Sequence, residues 1–459
     1  MMRDTGYTGR KVTVLGLGRE GVSVVRFLAE RGAEVTVSDS KRPEELRASL
    51  DAVSRWPVRL SLGANIPEAV AGADALFVSP GVPLTNPVVQ AARERGVRLD
   101  SSLRLFFALC PAPIAGITGS SGKTTTTTLL GEMLRTAGRR VFVGGNIGKT
   151  VLEALPEITP DQWVVLEISS FQLELMDRSP HVAVITNVTP NHLDVHPDME
   201  DYIRAKKRIL DFQRSDDWAV LNEDDEVTRE LASTARARPV RFSRAIEPEG
   251  DAAFVRKGVI TVRLDGRESP VMARGAVRLR GEHNLENALA ACAAGAVCGL
   301  PAEAMATAAS QFAGVEHRLE SVRTLAGVEY VNDSIATTPE RTLAGLRAFD
   351  RPIVLLLGGR DKHLPLESLA REAQRRCRAV VLYGEAAGLI EEALKEAAEG
   401  GDGPALVRLR GFAEAVAKAS EQARPGDVVL LSPACTSYDM FANFEERGRE
   451  FKRLGWEMA

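Results

Sequence analysis

The stretch Pro113-Ile114-Ala115-Gly116-Ile117-Thr118-Gly119-Ser120-Ser121-Gly122-Lys123-Thr124-Thr125 decides the reading of this chain. Residues 113–117 are mostly apolar and predict a buried strand, and residues 126–137 carry the pattern of a helix. A strand, a glycine loop, Lys-Thr and a helix, in that order, have the layout of a phosphate-binding loop. Gly119 and Gly122 let the backbone N–H groups of Ser120, Ser121 and Thr125 turn toward phosphate oxygens. The helix N-terminus adds positive potential, Lys123 supplies a mobile charge, and the Thr124 hydroxyl can ligate Mg²⁺. The spacing departs from GxxxxGK[ST] at one point, because Ile117 stands where that pattern has its first glycine. A ligand-free Gly/Thr-rich turn would need loop, Lys-Thr and flanking elements to coincide by accident. The expected ligand is a nucleoside triphosphate.

Upstream, Lys11-Val12-Thr13-Val14-Leu15 predicts a short buried strand, followed by the GxGxxG turn Gly16-Leu17-Gly18-Arg19-Glu20-Gly21. Residues 22–31 have helical spacing, and the next strand ends at Asp39, about 20 residues past the glycines, where nucleotide-binding folds place a ribose-binding acid. A further strand, Ala75-Leu76-Phe77-Val78, runs into Ser79-Pro80-Gly81. This is a Rossmann-like pattern, although a lone GxGxxG specifies its ligand weakly.

Downstream, the apolar strand Trp163-Val164-Val165-Leu166 ends in Glu167, 44 residues past Lys123 and well placed to hold Mg²⁺ directly or through water. A second strand over residues 182–185 leads to a loop containing His192, a metal or phosphate partner by position. Residues 250–280 read as hairpins, with turns at Lys257-Gly258 and Asp265-Gly266. Lys206 lies in Tyr202-Ile203-Arg204-Ala205-Lys206-Lys207-Arg208-Ile209, and the charge pattern alone predicts a solvated helix face. From residue 315 onward, strands at 328–331, 353–357, 379–382 and 428–431 each end in a polar turn, the rim where open α/β sheets bind ligands. The expected fold is α/β in three domains: a Rossmann-like N-terminal domain (1–102), a central P-loop ATPase-like domain (103–314) and a C-terminal Rossmann-like domain (315–459).

A length of 459 residues fits about three domains. The net charge of −4, without a long basic run, argues against nucleic acid as partner. The five cysteines lack CxxC spacing, so neither a zinc site nor a disulfide framework is indicated. No apolar run reaches the roughly 18 residues of a membrane span, and a soluble cytoplasmic protein is expected. One nucleotide-like site, one ATP·Mg²⁺ site and a third polar rim suit a ligase that activates a carboxylate with ATP and joins it to an amine. An NAD-dependent oxidoreductase fused to an ATPase, and a non-enzymatic ATP-driven switch, remain open on the residues alone.

The combination resembles the Mur ligase family over essentially the whole chain. Beyond the phosphate loop, the resemblance rests on Gly145-Asn146-Ile147-Gly148, Glu167-Ile168-Ser169-Ser170-Phe171-Gln172-Leu173 and Asn187-Val188-Thr189-Pro190-Asn191-His192-Leu193-Asp194. It continues through Gly281-Glu282-His283-Asn284-Leu285-Glu286-Asn287, His317-Arg318, Asn332-Asp333-Ser334 and Leu431-Ser432-Pro433-Ala434-Cys435. The ending Ser437-Tyr438-Asp439-Met440-Phe441-Ala442-Asn443-Phe444 looks like the D-glutamate-adding branch.

The resemblance implies an ATP-dependent ligase of peptidoglycan precursor synthesis, joining D-glutamate to UDP-N-acetylmuramoyl-L-alanine through an acyl phosphate. The alternatives within the superfamily are L-glutamate as the added amino acid, or a folylpolyglutamate synthase type. It implies UDP rather than NAD at Gly16, Leu17 and Gly18, with Asp39, Ser40, Gly81 and Asn146 also toward the UDP substrate. It implies one Mg²⁺ on Thr124 and Glu167, a second metal served by His192, and carbamylation of Lys206, which turns a cation into a metal-supporting anion. Asn284, Asn287, Arg318 and Asp333 would hold adenine, ribose and phosphates. Thr337, Lys362, Ser437, Tyr438 and Phe444 would position glutamate. A monomer without membrane insertion is expected. Two positions depart from the family pattern: Ile335 stands where a lysine is often found, and Arg104 where a glutamate is common.

Overall fold

The computed structural model describes residues 6–190, 196–279, 281–362, 364–398 and 403–458. By packing density the chain divides into two compact units, 1–312 and 313–459.

The first unit contains two sheets. Strands β1 (Lys11–Leu15), β2 (Glu34–Asp39), β3 (Val58–Leu62), β4 (Ala75–Val78) and β5 (Arg98–Asp100) form a parallel sheet in the order β3-β2-β1-β4-β5. That is the Rossmann strand order through its first five strands, with its crevice at the reversal between β1 and β4. Helix Arg19–Ala29 follows the glycine turn and buries Val24, Val25, Phe27 and Leu28 against the sheet.

The second sheet contains β6 (Ile114–Thr118), β7 (Val141–Gly145), β8 (Trp163–Glu167), β9 (Val182–Ile185), β10 (Trp218–Asn222), β11 (Arg238–Ser243), β12 (Ala252–Arg256), β13 (Val259–Leu264) and β14 (Arg267–Ala273). Its order is β14-β13-β12-β11-β10-β9-β6-β8-β7, with the β12–β13 and β13–β14 pairings antiparallel at one edge and the other pairings parallel. Val164, Val165 and Leu166 are consecutive and all buried, as a parallel strand covered on both faces requires. The left-handed residues Lys257 (φ 50°) and Asp265 (φ 49°) make the two hairpin turns at the positions expected from their Lys-Gly and Asp-Gly pairs. β6, β8 and β9 are adjacent, so the ends of three strands converge where the phosphate loop leaves β6.

The second unit is a sheet of β15 (Glu320–Leu325), β16 (Val328–Asn332), β17 (Ile353–Gly358), β18 (Cys377–Tyr383), β19 (Ala405–Arg408) and β20 (Val428–Ala434), in the order β15-β16-β20-β17-β18-β19. Only β15 runs antiparallel. Helices cover both faces through two apolar clusters, one around Leu355 and Leu430 and one around Leu356 and Leu431.

Candidate active site

The phosphate loop is held open by neighbouring strand ends. Gly119 has φ +153°, and a Cβ there would overlap the Thr186 hydroxyl. Gly122 has φ +79°, and a Cβ would overlap the Asn287 side-chain oxygen. Only glycine fits at either position. Thr186, just past β9, donates to the Ser121 carbonyl at 2.6 Å, and the Asn187 side chain accepts from the Ser121 amide at 2.9 Å. Helix Lys123–Thr136 starts at Lys123, three residues earlier than its apolar periodicity suggests. Thr124 is buried and Thr125 half-buried. The loop is therefore preformed, with a helix N-terminus behind it, which is the geometry that receives a phosphate.

Glu167 ends β8 beside the loop and is only 3% exposed. Its Oε1 accepts from the Asn146 side-chain amide at 2.9 Å, whereas its Oε2 is buried without a hydrogen-bond partner. An unsatisfied buried carboxylate oxygen is costly unless a cation completes it. The residues thus fit a divalent ion, with Thr124 and Glu167 as oxygen donors. Asn146, expected at the UDP substrate, makes this bond to Glu167 with its side-chain amide. Asn287 accepts weakly from Thr126 at 3.5 Å and donates to Asn284 at 3.1 Å, which sets both asparagines beside Gly122. His192 lies outside the described residues.

Lys206 corrects the expectation from charge pattern. It is 1% exposed rather than solvated. Its Nζ donates to the Gly119 carbonyl at 2.8 Å and sits 4.4 Å from the Tyr202 ring centroid. Burial, followed by the nearby Lys123 charge, lowers its pKa from 10.5 to about 6. The signal was present in the sequence: Tyr202, Ala205, Lys206 and Ile209 follow the i, i+3, i+4, i+7 spacing of a buried helix face, and all four are buried.

His196 was missed altogether. It is buried, bonds Asp201 at 2.7 Å and Ser170 at 3.1 Å, and stacks on Phe171 with ring centroids 5.2 Å apart. It also packs against Tyr202, whose hydroxyl reaches Ser120 of the phosphate loop at 3.1 Å. Its partners come from two helices, Met199–Asp211 just after it and the distant Ser170–Leu173, and no local spacing reveals the second.

At the first sheet, Asp39 holds the glycine turn in place. Its carboxylate accepts from the Leu17 amide at 2.7 Å and the Lys41 amide at 2.9 Å, and Ser79 donates to the Gly16 carbonyl at 2.8 Å. Gly18, Ser40 and Gly81 are exposed around that turn. Arg104 bridges to Asp177 at 2.6 Å and donates to the Leu99 carbonyl at 2.6 Å, fixing the start of helix Ser102–Leu109.

In the second unit, Asp333 follows β16 and is buried. It accepts from the Leu319 amide at 3.2 Å and the Ser432 hydroxyl at 2.8 Å, and desolvation pushes its pKa up to about 7. Arg318 is exposed between His317 (φ 64°) and Leu319 (φ 44°), two left-handed residues that turn the chain toward Asp333. Lys362 donates to the Thr337 hydroxyl at 3.2 Å. Ser437 is buried, Tyr438 is 63% exposed, and Phe444 packs edge-on against His317 with ring centroids 6.1 Å apart. Arg447, fully buried, was not anticipated. It donates to the Ser334 carbonyl at 2.9 Å and to the Cys435 carbonyl at 3.2 Å, bracing the two loops that carry Thr337 and Ser437.

A preformed phosphate loop, a buried carboxylate awaiting a cation and a separate α/β unit with a polar rim define a nucleoside-triphosphate-dependent enzyme. Family models match in three consecutive blocks: the Mur ligase MurD-like N-terminal domain over residues 10–100, the Mur ligase middle domain over 117–295 and the Mur ligase glutamate ligase domain over 317–435. The chain belongs to the Mur ligase family. It is 47% identical over 445 residues to a UDP-N-acetylmuramoylalanine–D-glutamate ligase of Symbiobacterium thermophilum, covering 97% of each chain. It is 42% identical to the protein of that name from Clostridium novyi, covering 97% of this chain and 96% of the other. Among solved structures, the UDP-N-acetylmuramate-alanine ligase of Thermotoga maritima has the same fold, with TM-score 0.56 and 20% identity, covering 98% of this chain and all of that one.

Proposed function

We propose that this chain is an ATP-dependent ligase that joins D-glutamate to UDP-N-acetylmuramoyl-L-alanine in peptidoglycan precursor synthesis. The names of its relatives support the substrates, and the phosphate loop facing the unsatisfied Glu167 carboxylate is the observation that carries the chemistry. Residues 1–102 bind the UDP portion, 103–314 bind ATP, and 315–459 bind glutamate and contribute Arg318 and Asp333 to ATP. The turn at Gly16, Leu17 and Gly18 takes the diphosphate, flanked by Ser40 and Gly81.

The substrate carboxylate attacks the γ-phosphorus of ATP, ADP leaves, and an acyl phosphate forms. The glutamate amine then attacks the acyl carbon, and the tetrahedral intermediate collapses with loss of phosphate. Lys123 neutralises charge on the transferred phosphoryl group, and the helix N-terminus behind the loop helps to hold that group in line. Thr124 and Glu167 would hold Mg²⁺, which would supply charge neutralisation at the phosphate oxygens. His192 would serve a second metal, together with the Lys206 amine in its carbamylated form. Burial that keeps Lys206 neutral at physiological pH supports that modification, because only a free amine reacts with CO₂.

Among the described residues no helix is long and apolar enough to cross a membrane. We place the protein in the cytoplasm as a monomer, where ATP and UDP-linked precursors are available. The test is phosphate release from ATP in the presence of UDP-N-acetylmuramoyl-L-alanine and a panel of amino acids. D-Glutamate is expected to stimulate it most. Stimulation by NAD⁺-linked substrates, or none by any amino acid, contradicts the reading.

A further inference from the structure

The loop between β16 and helix Pro339–Arg347 carries Asp333 and Thr337, and isoleucine at position 335 leaves its centre without a charge. The structure brings a charge there by another route. Arg341 lies in the first turn of the helix, and its Nη1 donates to the Ile335 carbonyl oxygen at 3.3 Å. The guanidinium therefore rests on the backbone of the residue whose own side chain is apolar. Two residues further along the loop, Lys362 donates to the Thr337 hydroxyl at 3.2 Å. Burial first, and then the charge of Arg341, hold the Lys362 ammonium below its ordinary pKa, so the two cations are close enough to repel. An anion between them relieves that repulsion. Arg447 is not available for this role, because its donors are committed to Ser334 and Cys435.

We propose that Arg341 is a specificity-determining residue of the amino-acid site, a second cation that joins Lys362 in binding the carboxylates of glutamate. The assignment rests on the ligase reading above. A planar guanidinium can hold a carboxylate with two parallel N–H···O bonds, which an ammonium cannot. Two cations held against one loop, Arg341 at Ile335 and Lys362 at Thr337, also favour an amino acid with a second carboxylate over a neutral one.

Steady-state kinetics of the full-length chain test this with the wild type, Arg341→Gln, and Arg341→Gln combined with Ile335→Lys. Arg341 is exposed, so its substitution leaves the core intact. Loss of a charge-assisted bond is expected to raise the KM for D-glutamate about 10- to 100-fold. The KM values for ATP and UDP-N-acetylmuramoyl-L-alanine should stay close to wild type, and turnover at saturating glutamate should fall much less than affinity. Ile335→Lys in the double variant should restore most of the glutamate affinity. An unchanged glutamate KM in Arg341→Gln overturns the assignment, as does an equal rise in the KM for ATP. A wild-type chain with no D-glutamate-dependent phosphate release removes the ligase reading instead, independently of either variant.

Discussion

Lys123 and Lys206 share one acceptor: the Nζ of each lies 2.8 Å from the Gly119 carbonyl oxygen. Burial of the Lys206 amine, and then repulsion from the Lys123 charge, lowers the pKa of Lys206. That shift sets Lys206 apart from Lys123, the lysine of the phosphate loop. Under the proposed function, Lys123 is the charge for phosphate and Lys206 the amine that would take up CO₂.

That separation predicts a pH and CO₂ dependence. The unfolded chain keeps unmodified Lys206 protonated up to about pH 10.5, and the folded chain releases the proton above about pH 6. Between those values the unfolded state binds the extra proton, so this group's contribution to stability rises with pH and is lost as pH falls toward 6. Lys206→Met should flatten that slope and raise Tm near neutral pH in CO₂-free buffer. It should also lower turnover by about 100-fold, the scale of losing one preorganised electrostatic group. Wild-type activity should drop as pH falls through 6 and in CO₂-depleted buffer. Full activity of Lys206→Met would return this residue to a packing role.

Glu167→Gln should keep the fold, because Asn146 can still bond the amide oxygen. It should weaken the Mg²⁺ dependence of ATP turnover and reduce kcat by about 100-fold or more. A Mg²⁺ titration of activity measures both. Asn146→Ala should give a milder form of the same defect by freeing Glu167 to rotate. If Asn146→Ala instead raises only the KM for the UDP substrate, Asn146 contacts that substrate directly.

Asp333 should give a slope of the opposite sign. Its folded pKa of about 7 exceeds the ordinary 3.8, so the folded state holds more protons between those values and its contribution to stability is lost as pH rises toward 7. Asp333→Asn can still accept from the Leu319 amide and bond Ser432. Without nucleotide it should therefore be more stable than wild type above pH 7, and nearly equal to it near pH 4. Thermal denaturation across that range reads the difference. A Tm gap independent of pH would show that Asp333 stays ionised.

The amino-acid site should favour D-glutamate over L-glutamate and D-aspartate. Lys362→Ala should raise the glutamate KM by about 10-fold or more, because it leaves a carboxylate unpaired at a partly enclosed rim. Side-by-side kinetics with the three amino acids check both statements. A preference for L-glutamate would reverse the enantiomer assignment and leave the ligase chemistry standing.

The strands and the phosphate loop were legible because their signals are local. Val164 to Leu166 announce a strand covered on both faces, and Gly122-Lys123-Thr124 announces a helix start that binds phosphate. The same holds for the hairpin turns at Lys257-Gly258 and Asp265-Gly266. What escaped depends on contacts between distant segments. His196 gains its role from Ser170, Phe171 and Tyr202, and Arg447 from carbonyls at Ser334 and Cys435. Lys206 lies between these cases. Its charged neighbours Arg204, Lys207 and Arg208 suggested solvent, while the apolar stripe through Tyr202 and Ile209 carried the correct answer. Charge density misled there because a helix face is set by position around the axis, not by local composition.

An oxygen-transfer experiment detects the acyl phosphate. UDP-N-acetylmuramoyl-L-alanine labelled with ¹⁸O in its terminal carboxylate is turned over with ATP and D-glutamate, and the released phosphate is analysed by mass spectrometry. The carboxylate oxygen that attacks the γ-phosphorus must leave with phosphate, so one ¹⁸O per turnover should appear in inorganic phosphate, with ADP as the nucleotide product. Unlabelled phosphate, or AMP and pyrophosphate, would contradict the account.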